Sequence, residues 1–394
     1  MYIYIVRPGD TLRHISEMSG VSEQTAAYIN QLSLPYKPVP GQALLLPAEA
    51  EPVPPPKGTG RAAAVKGYAY PFISREVLEE TLPYLTSLCS FSYGFTPEGE
   101  LIPPPADDRR LIGTAEAEGV RAELTLASLD ENDRFDPLRV HALINDEKRI
   151  KRLISSLLGE MKAKGYEGLD IDFEYVRAED RGAYTSFVAG LTERMNAEGY
   201  PVSAALAAKT SDSQKGALYE GIDYAGLGAA ANSVFLMTYE WGYRYSQPMA
   251  VAPLPEVRRV VEYAVTRIPP EKIDLGIPNY GYDWPVSSSG KAEEAKTVGN
   301  IEAVHLAAEK GAEIFYDEKA QAPHFRYENG GISHEVWFED VRSLRAKLGL
   351  VREYGLRGAG YWQIMRLFRP GWILSGDTFQ IVKDDRRLIL LKTD

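Results

Sequence analysis

The amino-acid sequence predicts an α/β protein, a (β/α)8 TIM barrel with an α+β insertion, preceded by a small βααβ domain. Three observations support this prediction. Strand-like and helical runs alternate over residues 61–394, a proline-rich stretch at 48–60 reads as a linker, and residues 1–47 have a self-contained pattern of their own. A chain of 394 residues is long enough for one large and one small domain.

The N-terminal region, residues 1–47, has the pattern of a compact βααβ domain. Residues 3–6 alternate like a strand, and the sequence PGD at 8–10 supplies a turn. Apolar side chains then recur at helical spacing, at Leu12, Ile15 and Met18. Ser22 is placed to cap a second helix, and a PGQ turn at 40–42 leads into a closing strand at 43–46.

Residues 61–394 carry the barrel pattern. The candidate strands lie at 63–68, 87–93, 122–126, 168–173, 202–207, 233–239, 273–278 and 358–363. The helix predicted between the third and fourth strands has Asn145 as its N-cap and Gly165 after its end. The segment at about 286–337 is too long for a simple connection and has its own helix and strand signals. We therefore expect it to form the insertion, walling one side of a cleft at the C-terminal strand ends.

Composition limits the possible partners. The net charge of −11 opposes the basic surface that nucleic-acid binding requires, so no nucleic-acid partner is expected. No segment reaches the roughly 20 apolar residues of a spanning helix, and the first residues lack the pattern of a secretory signal. We therefore expect no membrane partner and no conventional signal peptide. The lone Cys89 excludes an intramolecular disulfide, and the sequence leaves the oligomeric state unknown.

Three carboxylates alternate along the fourth predicted strand, GLDIDFE at 168–174. Because side chains alternate across a strand, Asp170, Asp172 and Glu174 share one face, and the apolar residues between them share the other. Three acids inside a barrel are costly unless they are protonated, hydrogen-bonded or functional. They must share protons, which raises the pKa of at least one of them, as a general acid requires. Glu174 lies nearest the C-terminal mouth and is the candidate acid.

The same acids could instead form a structural carboxylate network or bind a divalent cation. A metal site would usually recruit histidine, and the 5 histidines show no HExxH-like spacing. The sequence therefore favours catalysis by the three acids, without a metal or another cofactor.

The segment EGLDIDFE resembles the DxxDxDxE signature of glycoside hydrolase family 18. The resemblance implies a (β/α)8 barrel and retaining hydrolysis in which the substrate's own N-acetyl carbonyl attacks the anomeric carbon. It implies that Glu174 is the acid/base, that Asp172 orients and stabilises the N-acetyl group, and that Asp170 modulates Asp172. The sequence departs from the signature at its first position, where Glu167 stands for aspartate.

Other strand ends carry residues that match family positions. In MTYEWG at 237–242, the resemblance implies that the hydroxyl of Tyr239 holds the N-acetyl group. The neighbours expected near the sugar are Met237, Glu240 and Trp241, and many members have aspartate where Glu240 stands. Trp362 in GAGYWQ resembles the floor under the reactive sugar. Further candidates for substrate binding come from GIPNYGYDW, at Tyr280, Tyr282 and Trp284.

The N-terminal unit resembles a LysM domain in YIVRPGDTLRHIS, in the IN pair at 29–30 and in PGQALLLP. Members of this family bind glycans that contain N-acetylglucosamine (GlcNAc), such as peptidoglycan and chitin. The resemblance implies a groove between the GDT loop and the loop after the second helix, lined by Gly9, Asp10, Thr11 and the stretch from Leu32 to Pro35. From the residues alone, the glycines and Asp10 could also be simple turn formers.

A narrower resemblance combines the LysM domain with FSYGFT, MTYEWG, GIPNYGYDW and HEVWFED. Together these segments are similar to spore-germination glycosidases, the cortex-lytic N-acetylglucosaminidases of endospore formers. The resemblance implies hydrolysis of β-linked GlcNAc in spore-cortex peptidoglycan. It also implies a location in the spore coat or cortex after synthesis in the mother-cell cytoplasm.

Two other functions stay open at this point. The same mechanism serves a chitinase or chito-oligosaccharide hydrolase, because it acts on any β-linked GlcNAc. A catalytically silent lectin or coat protein could bind glycan through both domains, although such relatives usually lose the acid, which is present here as Glu174. The expected partner is in each case a peptidoglycan or chitin-like GlcNAc polymer.

Overall fold

The computed structural model of the protein describes residues 1–33, 36–48, 60–130, 132, 134–287 and 289–385. Residues 49–59 of the expected linker and Pro35 of the expected glycan groove lie outside the described residues. The N-terminal domain consists of β1 (Tyr2–Ile5), α1 (Leu12–Ser19), α2 (Glu23–Asn30) and β2 (Ala43–Leu46), with β1 and β2 paired antiparallel. The predicted βααβ order is therefore observed.

Local capping explains where the two short helices begin. The Thr11 hydroxyl accepts a hydrogen bond from the backbone amide of His14 at the start of α1. The Ser22 hydroxyl accepts one from the amide of Thr25 at the start of α2. The side chain of Asn30 is buried and bridges α2 to β2, since it accepts the Leu45 amide at 2.7 Å and donates to the Leu45 carbonyl at 2.9 Å. The predicted cap at Ser22 is confirmed.

The first part of the barrel alternates strands and helices as the sequence predicts. Its elements, in chain order, are β3 (Ala62–Ala69), α3 (Arg75–Thr81), β4 (Ser87–Phe95), β5 (Leu101–Ile102), α4 (Arg109–Ala117), β6 (Arg121–Ala127), α5 (Pro137–Ile144), α6 (Glu147–Lys164), β7 (Gly168–Asp172), α7 (Arg181–Asn196), β8 (Val202–Ala207), α8 (Tyr224–Ala230), β9 (Ser233–Met237), α9 (Leu254–Ala264) and β10 (Ile273–Pro278).

The insertion forms a sheet of its own with one helix packed on it. Its elements are β11 (Gly281–Val286), β12 (Lys296–Val298), α10 (Asn300–Lys310), β13 (Phe315–Asp317), β14 (Ala322–Asn329) and β15 (Ile332–Trp337). The five strands are antiparallel in the order β12-β11-β15-β14-β13. The sheet starts at Gly281, before the expected boundary at 286, because Tyr282 already pairs with Trp337 of β15.

The chain then returns to the barrel through α11 (Val341–Glu353), β16 (Gly358–Trp362), α12 (Arg369–Thr378) and β17 (Gln380–Ile381). Strand β16 pairs in parallel with both β10 and β3, and β3 pairs with β4. The strands β3, β4, β6, β7, β8, β9, β10 and β16 therefore close on themselves as a parallel barrel. The predicted fold is confirmed.

The start of α6 differs from the prediction by one residue. Asp146, not Asn145, is its N-cap and accepts the amides of Lys148 and Arg149. Asn145 instead ends α5, where its side-chain amide donates to the carbonyl oxygen of His141 at 2.9 Å. No helix was predicted at α5, and Asn145 was therefore assigned to the start of α6 although it ends α5.

The N-terminal domain packs against the insertion. Val39 belongs to the same buried cluster as Phe325, Val336 and other insertion residues. The amide of Ile314 donates to the carbonyl oxygen of Pro40 at 2.9 Å. A Cβ at position 41 would lie 1.7 Å from the Ile314 carbonyl oxygen, and the φ of Gly41 is +82°, so this contact requires glycine.

Arg369, the first residue of α12, ties the N-terminal domain to the barrel. Its guanidinium lies 4.2 Å from the ring centre of Tyr28 and donates to the Tyr28 carbonyl oxygen at 2.8 Å. The same group pairs with both carboxylate oxygens of Glu80, at 2.7 and 2.6 Å. Its backbone amide donates to the side chain of Gln31 at 2.7 Å. These contacts hold the domain in one orientation on the barrel.

The floor of the barrel holds buried charges that the sequence analysis did not identify. Lys66 on β3 is 1% exposed, and its ammonium lies 2.8 Å from Glu123 on β6 and 3.0 Å from Asp170 on β7. Burial alone would lower the pKa of Lys66, but Asp170 and Glu123 raise it above its ordinary value. Arg121 pairs with the other oxygen of Glu123 at 2.8 Å. The interior charges thus compensate one another.

We expect Lys66→Met to destabilise the protein by about 3–5 kcal/mol, because it removes the cation that pairs with the buried Asp170 and leaves Glu123 with Arg121 alone. Urea unfolding monitored by circular dichroism would measure the loss. The control is Lys151→Met, which removes an exposed partner of Glu147 and should leave the unfolding midpoint nearly unchanged. Equal midpoints for Lys66→Met and the wild type would contradict the role given to this network.

Candidate active site

The C-terminal end of β7 places the acids predicted from the sequence. Leu169 and Ile171 are fully buried against the helices, whereas Asp170 and Asp172 point into the barrel interior and are also buried. Glu174 follows the strand end and is only partly buried. The alternation predicted from the sequence therefore places one acid deep in the barrel, one above it, and one at the mouth.

The two upper acids have raised pKa values. Burial raises the pKa of Glu174 to about 7, and the nearby charge of Glu240 adds to this. Burial, together with the charges of Glu174 and Asp170, raises the pKa of Asp172 well above its ordinary value. One carboxylate oxygen of Asp172 is buried without a hydrogen-bond partner among the described residues. The pair can therefore keep a proton at neutral pH, and one buried oxygen of Asp172 is left to accept a hydrogen bond.

Tyr239 follows β9 and lies beside these acids. Burial raises the pKa of its phenol well above 10, and the charges of Asp172 and Glu174 raise it further. The group therefore stays protonated at neutral pH and can donate a hydrogen bond. Two backbones next to the acids adopt the left-handed conformation, at Tyr175 with φ +56° and Glu240 with φ +67°. Such residues are often found where a fold holds functional groups.

An aromatic floor lies under the acids. Trp362, at the end of β16, packs edge-on against Phe91 with ring centres 4.8 Å apart and against Tyr68 at 5.8 Å. Tyr68 in turn packs on Phe235 at 5.1 Å. Trp362 is only partly buried, so part of its ring remains open to the cleft. A flat exposed indole above a fixed aromatic cluster is suited to stacking on a sugar ring.

Tyr280, which follows β10, and Tyr282 of the insertion hold Glu240. The Tyr280 hydroxyl donates to Glu240 Oε1, and the Tyr282 hydroxyl donates to the same oxygen at 3.0 Å. Burial of this carboxylate raises its pKa, and the two hydrogen bonds act in the opposite direction. Averaged over all its atoms, Glu240 is exposed. The insertion therefore fixes an acid in the cleft wall, close enough to Glu174 to influence its protonation.

Comparisons with known proteins assign the chain. The family model described as glycosyl hydrolases family 18 matches residues 137–366, and the LysM domain model matches residues 4–47. The chain belongs to glycosyl hydrolases family 18. It is therefore a glycosidase that carries a LysM domain, and the family resemblance found in the sequence is confirmed.

The relatives of this glycosidase include several sporulation proteins. The chain is 39% identical to the cortical fragment-lytic enzyme of Bacillus subtilis over 78% of this chain and 71% of that protein. It is 34% identical to the putative sporulation-specific glycosylase YdhD of the same organism, over 95% of this chain and 98% of that protein. The crystal structure of the Bacillus megaterium spore cortex-lytic enzyme SleL superposes with a TM-score of 0.78 and 35% identity, covering 97% of this chain and 87% of that chain.

The remaining sequence candidates of the glycosidase lie in different surroundings. Met237 and Trp241 are partly buried, and Met237 packs against the aromatic floor. Trp284 has no exposed surface and packs among insertion residues, so it supports the cleft wall and cannot contact a substrate in this conformation. The indole N–H of Trp284 has no described partner. The structure therefore gives it a packing role in place of the expected substrate contact, because Ala250, Val251 and Tyr282 of the same cluster enclose its side chain.

Several residues of the glycosidase site were missed by the sequence analysis. They are the floor residues Tyr68, Phe91 and Phe235 and the buried Lys66, which all point into the barrel. Lys66 and Tyr68 could have been found from the sequence, because they alternate along β3 in the same way as the acids do along β7.

A possible metal site in the glycosidase is already filled by a side chain. Cys89, Glu123 and Asp170 bring potential ligand atoms within 4.8 Å of one another, the one such group found among the described residues. The ammonium of Lys66 bonds to both carboxylates of this group. The positive charge that three such ligands would require is therefore supplied by lysine.

The LysM residues predicted to line a glycan groove have structural roles in this fold. Asp10 accepts the Tyr4 hydroxyl at 2.7 Å and the amide of Arg7 at 2.8 Å. Thr11 caps α1, and Gly9 is exposed with φ +87°. Leu32 is only 9% exposed and packs in the domain core. Binding of a glycan by the surface of these loops stays a prediction.

We expect Glu240→Gln to move the alkaline limb of the kcat/KM profile to lower pH. The charge of Glu240 raises the pKa of Glu174, so removing that charge lets Glu174 lose its proton at a lower pH. A pH profile with a soluble β-GlcNAc substrate would measure the shift. Tyr282→Phe serves as the control, because it removes a partner of Glu240 but keeps the charge. An unchanged limb in Glu240→Gln would contradict the coupling.

Proposed function

We propose that the chain is a retaining N-acetylglucosaminidase that hydrolyses β-linked GlcNAc in peptidoglycan of the spore cortex. The observation that carries the proposal is the position of Glu174 just after β7, beside Asp172 and Tyr239, where burial raises the pKa of Glu174 to about 7. The choice of substrate is supported by the likeness to SleL, a spore cortex-lytic enzyme, over 97% of the chain. A chitinase differs only in the polymer, and a silent lectin would have no use for an acid tuned to neutral pH.

In the proposed mechanism a GlcNAc unit lies on Trp362 with its N-acetyl group towards Asp172 and Tyr239. Glu174 donates its proton to the glycosidic oxygen, and the C–O bond to the leaving sugar breaks. The carbonyl oxygen of the N-acetyl group forms a bond to the anomeric carbon from the opposite face, which gives an oxazolinium ion. Asp172 stabilises the positive charge on the nitrogen, and Tyr239 holds the carbonyl oxygen.

The second step restores the enzyme. The Glu174 carboxylate takes a proton from water, and the oxygen of that water attacks the anomeric carbon. The bond to the N-acetyl oxygen breaks, so the product keeps the configuration of the substrate and Glu174 is again protonated. The pKa of Glu174, about 7, suits both roles, because a group that titrates near the working pH can donate and accept.

The LysM domain is proposed to hold the enzyme on the insoluble polymer, and the spore coat or cortex is the proposed location. Arg369 and Val39 fix the domain on the barrel, so binding by the domain also fixes how the barrel meets the glycan. Among the described residues, no helix combines the length and apolar composition needed to cross a membrane.

We expect Ser33→Glu to weaken retention on insoluble peptidoglycan by roughly tenfold and to leave turnover of a short soluble substrate unchanged. Ser33 is exposed in the loop after α2, at the expected groove, and the added carboxylate would block it and repel acidic peptide stems. Met18→Glu is the matched control, since it adds the same charge at another exposed position of the domain. A sedimentation assay with sacculi measures retention, and equal loss in both variants would contradict the groove.

The proposed function is tested by mass spectrometry of products from purified spore cortex and from colloidal chitin. Wild-type protein and Glu174→Gln are compared on both polymers. Muropeptides with new GlcNAc reducing ends, formed by the wild type alone, are the expected result. Products from chitin alone would show a chitinase, and tight binding to both polymers without products would show a glycan-binding protein.

A further inference from the structure

A cavity opens around the side chain of Tyr175, the residue that follows the catalytic acid in the chain. It measures about 340 Å³, at the lower end of the range of roughly 300–1,000 Å³ found for small-ligand sites. Its apolar walls come from Phe135, Pro137, Tyr175 and Val176. Tyr175 is the residue after Glu174 and is 40% exposed, so an aromatic face is open to a ligand directly beside the acid.

Phe135 links the wall of the cavity to the aromatic cluster of the catalytic centre. Phe135 packs against the same buried cluster as Tyr239 and Trp362, and its ring centre lies 6.4 Å from that of Tyr175. Glu174 delivers its proton to the glycosidic oxygen, and that oxygen leaves with the departing sugar. In the proposed mechanism Glu174 is therefore close to the departing sugar. It is also close to Tyr175, since burial and the charge of Glu174 raise the pKa of that phenol.

The guanidinium of Arg177 lies at the rim of the cavity and has further N–H donors besides the one that bonds Glu179. Arg177 pairs with Glu179 two residues away, and this pair is exposed and therefore weak. The other charged residue of the rim, Glu220, is neutralised by Lys215 at 2.8 Å. The cavity thus offers apolar walls and a guanidinium that can donate two parallel hydrogen bonds to a carboxylate or carbonyl group.

We propose that this cavity, the Tyr175 pocket, binds the 3-O-lactyl group of a muramyl sugar in the leaving position. The proposal rests on the proposed function, in which GlcNAc is cleaved from a neighbouring muramyl sugar. A lactyl group has a methyl for the apolar walls and a carboxyl, amide or lactam carbonyl for Arg177. The leaving sugar of chitin has only a hydroxyl at that carbon, so the pocket separates peptidoglycan from chitin.

The test uses the full chain and defined tetrasaccharides. The substrates are chitotetraose and three GlcNAc–muramyl repeats whose lactyl group is a free acid, is extended by a short peptide, or is closed to the lactam. Ala217→Trp fills the pocket from its exposed rim, Arg177→Gln removes the guanidinium, and Ala117→Trp on α4 is the matched control. Product formation measured by mass spectrometry gives kcat/KM for each pair.

We expect Ala217→Trp to lower kcat/KM on muramyl substrates by more than about tenfold and to leave chitotetraose within about twofold. Arg177→Gln should lower it on the same substrates, and the form that loses most identifies the lactyl state the pocket takes. Loss on chitotetraose equal to that on muramyl substrates, or no loss on any of them, overturns the proposal. A wild type that cleaves chitotetraose alone overturns the proposed function, and this pocket assignment fails with it.

Discussion

Replacing Glu174 with glutamine is expected to lower kcat by about 10³- to 10⁴-fold while leaving glycan binding nearly unchanged. The glutamine side chain keeps the size of the acid but cannot transfer a proton, and the loss of a positioned general acid is typically of this order. Binding of the ground state does not need the proton, so the Kd for an unreactive glycan should stay within about twofold. Steady-state kinetics and calorimetric titration give the two values.

The pH dependence of the wild type provides the matching test. Because the acid must be protonated at the start and its pKa is raised to about 7, kcat/KM should be level below that pH and fall above it. The same profile should be absent from the residual activity of Glu174→Gln. Full activity of this variant would remove Glu174 from the mechanism, and an unchanged alkaline limb in its residual activity would assign the titration to another group.

Asp172→Asn is expected to lower kcat by about 10²- to 10³-fold, because it removes the charge that stabilises the oxazolinium ion. The same change should not destabilise the fold. Burial and the charges of Glu174 and Asp170 raise the pKa of Asp172 in the folded protein. Asp172 therefore loses its proton more readily in the unfolded chain, and this lowers the free energy of unfolding. This loss of stability begins as the pH rises through the ordinary pKa of aspartate, and the asparagine variant should not show it.

The control for this prediction is Asp170→Asn on the same strand. Asp170 is fully buried and pairs with Lys66 at 3.0 Å, so losing its charge should lower the unfolding midpoint. The expected pattern is thus an inactive but stable Asp172→Asn and a destabilised Asp170→Asn, measured by kinetics and urea unfolding at neutral pH. Strong destabilisation by Asp172→Asn would mean that this acid is a structural group.

The local patterns of the sequence predicted the catalytic strand well. Alternation in GLDIDFE placed Asp170 and Asp172 inside and Leu169 and Ile171 outside, as the structure has them. This works because the two-residue period of a strand is a property of the backbone itself. Ser22 as a helix cap follows from equally local chemistry. The prediction of Asn145 as an N-cap was wrong, because this residue ends α5, a helix that the sequence pattern did not indicate.

The sequence by itself determined the barrel, the LysM unit and the order of the acids, because each depends on short-range periodicity or on a contiguous motif. Only the tertiary structure decided which aromatic residues can meet a glycan and which carry the fold. Trp284 is enclosed by the insertion, Trp362 stays open above Phe91, and Lys66 meets Asp170 across the barrel. These outcomes depend on contacts between residues far apart in the chain, and no local period encodes them.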